Sequence, residues 1–188
     1  MKSGAWIVII IGLFLLGILW WISGYNKAVS LHENTQATWA QVENQLQRRN
    51  DLIPNLVNAV KGFAKQERDV FTEVTQLRSQ WGQAATRDEK IDNAAAMSGA
   101  LGRLLLVAER YPQLKSDQNF LALQSQLEGT ENRIAVERRR YNEAVRSFNT
   151  FQRKYFGKMF AKAAGVTEPA KYFEVAEKAK EVPVVSFE

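Results

Sequence analysis

Apolar residues recur at alternating steps of three and four from Trp39 to Trp81, and this regularity limits the fold more than any other feature. The positions are Trp39, Val42, Leu46, Arg49, Ile53, Leu56, Val60, Phe63, Glu67, Val70, Val74, Leu77 and Trp81, and all but Arg49 and Glu67 are apolar. A 3.5-residue repeat is one face of a long α-helix packed at a small angle against another helix. A second seam runs through Phe120, Leu123, Leu127, Thr130, Ile134, Glu137, Tyr141, Ala144, Phe148, Phe151 and Tyr155, with Thr130 and Glu137 its polar members. Between the two, Asp88 to Arg110 reads as a shorter helix with the stripe Ile91, Ala94, Ser98, Leu101, Leu105 and Ala108. Tyr111-Pro112 closes it, because the residue before a proline is pushed out of the helical region.

Ser116 is the expected N-cap of the last long helix, with Asp117 in its first turn. No strand-like alternation precedes Val182 to Phe187, a tail expected to lie extended along the bundle. Pro169 to Lys180, with Tyr172, Phe173, Val175 and Ala176, reads as a short capping helix. The fold class is therefore all-α, an elongated antiparallel bundle of long helices.

At about 1.5 Å per residue, a helix over Ser30–Trp81 spans about 75 Å, Asp88–Arg110 about 35 Å and Asp117–Phe160 about 65 Å. Antiparallel connections match three segments: Pro54–Trp81, Asp88–Arg110 and Asp117–Tyr141. The first half of the Ser30–Trp81 helix and the basic, aromatic end of the last one are left without a sequential partner. Either the last helix breaks and folds back, or these seams meet another copy, since an apolar stripe in water promotes association. Self-association is the expectation drawn from this mismatch.

A charged cluster and a helix breaker interrupt the first seam: Arg48, Arg49, Asp51 and Pro54. Pro54 cannot donate to the carbonyl of Asn50, which predicts a kink. Arg49 occupies a seam position, and a buried guanidinium requires partners. Asp51, two residues away, points elsewhere on the helix. The partner is expected from another helix, with Glu109 and Glu137 the candidates. Glu67, the other seam charge, is expected to meet an arginine from the Asp88–Arg110 helix or the Asp117–Phe160 helix, such as Arg103. A device that fixes helix register is favoured over a ligand site.

From Ser3 to Asn26 no residue is charged, and Ala5 to Ile22 reads AWIVIIIGLFLLGILWWI. That length roughly matches a hydrocarbon core of about 30 Å. Trp6 stands at one end and Trp20, Trp21 and Tyr25 at the other, as anchors at the headgroup level. A cleaved signal peptide would have a shorter apolar run and a small-x-small cleavage site. The expected organisation is a retained anchor at 1–24 followed by a helical domain at 25–188. Lys2 on one side and Lys27 on the other, offset by Glu33, barely discriminate orientation; the reading places a short cytoplasmic tail inside and the bundle outside.

The chain has no cysteine and one histidine, His32, with no acidic residue three positions before it. Disulfides, thiolate zinc sites and cysteine catalysis are excluded, and neither a Ser-His-Asp triad nor a Glu-x-x-His metal pair is indicated. There is no glycine-rich phosphate loop, no metal constellation and no nucleic-acid motif. Glu128 and Glu131 read as a solvated acidic face. No cofactor is expected. The net charge of +5 is concentrated where Arg133, Arg138, Arg139, Arg140, Arg146, Arg153, Lys154 and Lys158 face only Glu137 and Glu143. A basic flank of this kind attracts acidic lipid or acidic protein, or is simply a solvated face.

The stretch QLQRRNDLIPNLVNAVKGFAKQE resembles the LemA family, as do AERYPQLKSDQNFLALQSQLEGTENRIAVERRRYNEAVRSFN and KYFEVAE. The likeness runs from about Trp6 to Phe187. It implies a bacterial protein of the cell (inner) membrane with one amino-terminal span and an antiparallel helical bundle, and it carries no catalytic residue. One branch of the family is associated with magnetosomes, and the resemblance also implies a membrane protein partner. The expected function is a non-enzymatic, single-pass, self-associating scaffold in contact with the bilayer. The alternative is a membrane-organising or lipid-binding protein that acts through its basic aromatic helix.

Overall fold

A computed structural model describes residues 2–174, and the side chains of residues 6–174. Among the described residues six helices follow one another: α1 (Lys2–Phe63), α2 (Arg68–Gln83), α3 (Arg87–Arg110), α4 (Pro112–Lys115), α5 (Gln118–Arg153) and α6 (Tyr155–Ala163). There is no strand among the described residues, and the chain is all-α. Its contacts divide it into two compact units: residues 2–40 with 139–172, and residues 41–138 with 173–174.

The second unit is an antiparallel bundle built around a hairpin that the sequence reading did not anticipate. The first seam does not run straight to Trp81. α1 ends at Phe63, and the chain reverses over Ala64–Glu67 into α2. The indole N–H of Trp81 then donates to Gln47, 34 residues earlier, at 3.1 Å. α3 turns back again: Lys90 pairs with Glu43 at one end and Arg110 with Glu67 at the other. The 118–138 part of α5 completes an up-down-up-down arrangement. Its core contains Ile53, Leu56, Val60, Ala64, Phe71, Val74, Met97, Leu101, Leu104, Phe120 and Leu127. Ala64 and Phe71 are buried whereas Phe63 is 39% exposed, so the reversal exchanges seam residues without losing the apolar face. α1 continues through Pro54, and the helix ends nine residues later at Phe63, where the chain turns.

Local signals set the helix ends. Thr86 and Glu89 form a capping box on α3: the Thr86 hydroxyl accepts from the amide of Glu89, whose carboxylate accepts from those of Thr86 and Ala85. Tyr111 ends α3, and Pro112 opens α4. Asp117, not Ser116, caps α5: its Oδ1 accepts from the amide of Phe120 at 2.9 Å. Ser116 instead closes the intervening α4 turn.

In the first unit, the start of α1 packs against the second half of α5 and against α6. Trp39 meets Tyr141 with ring centroids 5.4 Å apart, and His32 lies 5.6 Å from Phe148. The last expected helix does break, at Lys154, and α6 follows. Gly157 permits this: a Cβ there would sit 1.8 Å from the carbonyl oxygen of Phe151. The first seam up to Ala40 therefore meets the end of the second within this unit, while Val42, Leu46 and Ile53 are buried in the other, and the mismatch no longer calls for a second copy. Residues 169–174, expected to begin a capping helix, are not helical. The rest of that segment and the Val182–Phe187 tail lie outside the described residues.

Candidate functional site

Arg49 is the centre of the polar layer in the bundle. It is 3% exposed, because it occupies a seam position that α1 directs into the interior. Its Nη1 donates to Ser98 Oγ at 2.8 Å and to Glu131 Oε1 at 3.1 Å, and its Nη2 donates to the carbonyl of Ala94 at 3.1 Å. Ser98 Oγ donates to the same carbonyl at 3.1 Å. One guanidinium thus ties α1 to α3 and α5. Burial lowers the Arg49 pKa from its ordinary value, and the Glu131 carboxylate opposes that shift. An arginine remains protonated in such surroundings.

The acidic partner is Glu131, in place of the expected Glu137 or Glu109. Glu131 lies six residues before Glu137 on α5, beside the buried Thr130. Glu109 pairs with Lys115 on the surface, at 2.5 Å. Glu67 meets an arginine of α3, as expected, but it is Arg110 at 2.9 Å in place of Arg103, with the hydroxyl of Tyr111 at 3.4 Å. Arg103 pairs with Glu73. Glu67 therefore fastens the α1–α2 reversal to the end of α3.

Arg48 and Asp51 are exposed and Pro54 is half-buried. Asp51 accepts from the side-chain amide of Gln47 at 2.8 Å, and Gln47 in turn accepts from Trp81. Lys90, paired with Glu43, lies 5.5 Å from the Trp81 ring centroid. Asn93 donates to the carbonyl of Leu77 at 2.9 Å, linking α3 to α2. The contacts of Trp81, Lys90 and Asn93 hold helices in register. Ser98 both accepts from a guanidinium and donates to a carbonyl, so no base activates it. Among the described residues, no group of three or more His, Cys, Asp or Glu could hold a metal ion.

Trp6, Trp20, Trp21 and Tyr25 are all exposed, at 66%, 49%, 42% and 39%. Trp20 stands edge-on to Phe156 and Phe160, with centroids 5.0 and 5.1 Å away, and Trp21 stands 5.4 Å from Phe160. Phe160 also lies on the backbone at Gly24, where an added Cβ would come within 2.2 Å of its ring.

Asn149 went unremarked in the sequence. Buried on α5, it pairs with the backbone of Ala170 in both directions at 3.0 Å, donating through Nδ2 and accepting through Oδ1. The Tyr141 hydroxyl donates to the carbonyl of Lys171 at 2.8 Å. Together they hold residues 170–171 against the helix. Asn149 follows the seam residue Phe148, and no local pattern distinguishes it from a surface asparagine.

The profile of the LemA family matches residues 38–187. Two Paramagnetospirillum magneticum proteins, Magnetosome protein MamQ 1 and MamQ 2, are each 27% identical to the chain over 189 residues, covering 86% of it and 68% of their own length. Magnetosome protein MamQ of Magnetospirillum gryphiswaldense is 25% identical over 66% of the chain and 56% of its own length. Protein LemA of Metamycoplasma hominis is 23% identical over 55% of the chain and 48% of its own length.

Proposed function

We propose for this chain, which belongs to the LemA family, the role of a membrane-tethered, non-enzymatic scaffold that presents a rigid helical bundle to a protein partner. The observation that carries this reading is the closed polar centre. Arg49, the most unusual residue of the seam, is buried and bonded to three acceptors that brace the bundle. The anchor is 1–24 and the helical domain 25–188; the boundary between them falls within the continuous helix α1, so it marks a change of environment and not of secondary structure. We place the chain in the bacterial inner membrane as a single-pass protein with its bundle outside. α3 is also apolar enough to span a membrane, but half of its apolar window is buried and it supplies bundle core.

Self-association has lost its original motive, since the seams left without a sequential partner are largely buried within their own units. What remains for a partner includes Phe63, Leu106 and Leu121, which are 39%, 66% and 42% exposed near the ends of α1 and α3 and the start of α5. Photo-crosslinkers at Leu106 and, as control, at the outward-facing Arg146 test the proposal in native membranes. A repeatable adduct at Leu106 with a second protein supports it. The absence of any adduct, together with a monomeric extract, counts against it.

A second reading places α6 on the membrane surface. The ring contacts between α6 and Trp20 and Trp21, at the end of the apolar run, favour it. A nitroxide at Tyr155→Cys as accessible to aqueous relaxant as one at Leu106→Cys would remove this reading.

A further inference from the structure

If Ala5 to Ile22 fill the hydrocarbon, Trp20 and Trp21 stand in the last turn of the span. The rings of Phe156 and Phe160 pack directly on them. Chain geometry alone then sets α6 within about one helical turn of the end of the hydrocarbon. The composition of α6 suits that level. Tyr155 is 87% exposed, Phe156 52% and Met159 38%, while Lys158 and Lys162 are exposed on the same short helix. From Arg153 to Ala163 the sequence contains four cations and no carboxylate.

A cavity of about 380 Å³ opens between the end of α5, α6 and the turn that follows. Arg153, Lys158 and Lys162 line it, with Asn149, Gln152 and Thr167. Among the described residues its lining includes no carboxylate, and Glu168 in the adjoining turn is exposed. The Asn149 amide is bonded to Ala170 and that of Gln152 to the carbonyl of Val166, so the three cations supply the charge of the cleft. A concave site with three cations, beside a helix at headgroup depth, matches a phosphate carried by a lipid whose acyl chains remain beside the span.

We propose that this cleft binds the phosphate headgroup of an anionic phospholipid and so holds the chain against an acidic leaflet. This rests on the interfacial reading of α6. The test uses the full chain in nanodiscs of phosphatidylcholine with or without phosphatidylglycerol. The cysteine-free sequence allows single nitroxides at Tyr155→Cys and Met159→Cys, with Leu106→Cys as control. Retention of phosphatidylglycerol is read by mass spectrometry after exchange into detergent. The expected result is lipid-level nitroxides and selective retention of phosphatidylglycerol. At about fivefold per lysine near an anionic surface, Lys158→Gln with Lys162→Gln should weaken retention by about thirtyfold while the nitroxides stay at their depth. Lipid-level nitroxides without selective retention, or retention that the double variant leaves unchanged, would overturn the cleft and leave the interfacial helix standing. Nitroxides as water-accessible as the Leu106 control would overturn both. Saturable binding of inorganic phosphate in phosphatidylcholine discs, abolished by the double variant, would reassign the cleft to a soluble anion.

Discussion

Replacing Glu131 should destabilise the bundle more than replacing Arg49 with an apolar residue of similar shape. Glu131→Ala leaves the guanidinium of Arg49 buried with two neutral acceptors, Ser98 and the Ala94 carbonyl. Breaking a buried pair costs about 3–5 kcal/mol when one charge stays behind. The two remaining hydrogen bonds place this case near the lower limit, at about 3 kcal/mol. Arg49→Met removes the buried charge and keeps most of the stem. Glu131 is 37% exposed and returns to water, and Ser98 already bonds the Ala94 carbonyl, so no acceptor is orphaned. Replacing a buried charge by apolar volume is often close to neutral, and about 1 kcal/mol or less is expected. With the Arg49 charge removed, Glu131→Ala should add little, so the double variant should match Arg49→Met. Urea titration of the full chain in detergent, followed by circular dichroism, measures all three. Equal losses for Glu131→Ala and Arg49→Met would refute the argument, since they would mean that the charge, and not its burial without a partner, sets the stability.

Three further outcomes follow from the contacts. Asn149→Leu removes both hydrogen bonds to Ala170 and should expose the Lys171 peptide bond, so limited trypsin should cleave there severalfold faster than in the parent; an unchanged rate would contradict the strap. The Glu89 carboxyl is held below its ordinary value of 4.5, first by the amide of Thr86 and then by that of Ala85. A depressed folded-state pKa stabilises above the unfolded value and is lost as pH falls through the folded one. The Thr86 and Ala85 amide resonances should therefore titrate below pH 4.5, and Glu89→Gln should abolish that step. Gly24→Leu should drive Phe160 from the α1 backbone and weaken the quenching of Trp20 by a nitroxide at Met159→Cys; undiminished quenching would count against the close approach.

The two seams were legible because burial imposes a helical period on them, and nearly every apolar member of the second seam up to Phe148 is buried. The α1–α2 reversal was not. A stripe that returns in phase after a four-residue turn looks continuous, and Val60 and Val74 are both fully buried on either side of it. Ala64 and Phe71 replace Phe63 and Val70 in the core, a shift that only the packed hairpin defines. No proline or glycine falls within Ala64–Glu67 to mark the turn. The requirement that Arg49 have an acidic partner on another helix followed from its seam position. The identity of that partner did not, because choosing Glu131 over Glu137 needs the register between α1 and α5. The break at Lys154 left a trace in Gly157, whose missing side chain makes room for the Phe151 carbonyl.

Closing the hairpin also changes what association can use. A straight helix to Trp81 would have left long apolar stripes exposed, and hydrophobic pairing of copies would have been the natural remedy. In the observed units those stripes are buried: Ala28 and Trp39 in one, and Val42, Leu46 and Ile53 in the other, are all under 10% exposed. The exposed large apolar residues of the described chain lie mainly on 6–25 and on α6, with only Phe63, Leu106, Leu121 and Val136 elsewhere. Scattered apolar residues of this kind are ordinary on a folded surface. Among the described residues, association in water therefore has no broad hydrophobic face outside 6–25 and α6, and contacts that involve the span and α6 become the better place to look for it. This yields a specific expectation: crosslinks between copies should form through short bifunctional linkers at Trp20→Cys and Phe156→Cys before they form at Val42→Cys or Leu46→Cys, whose side chains are already enclosed; equal crosslinking at all four would refute it.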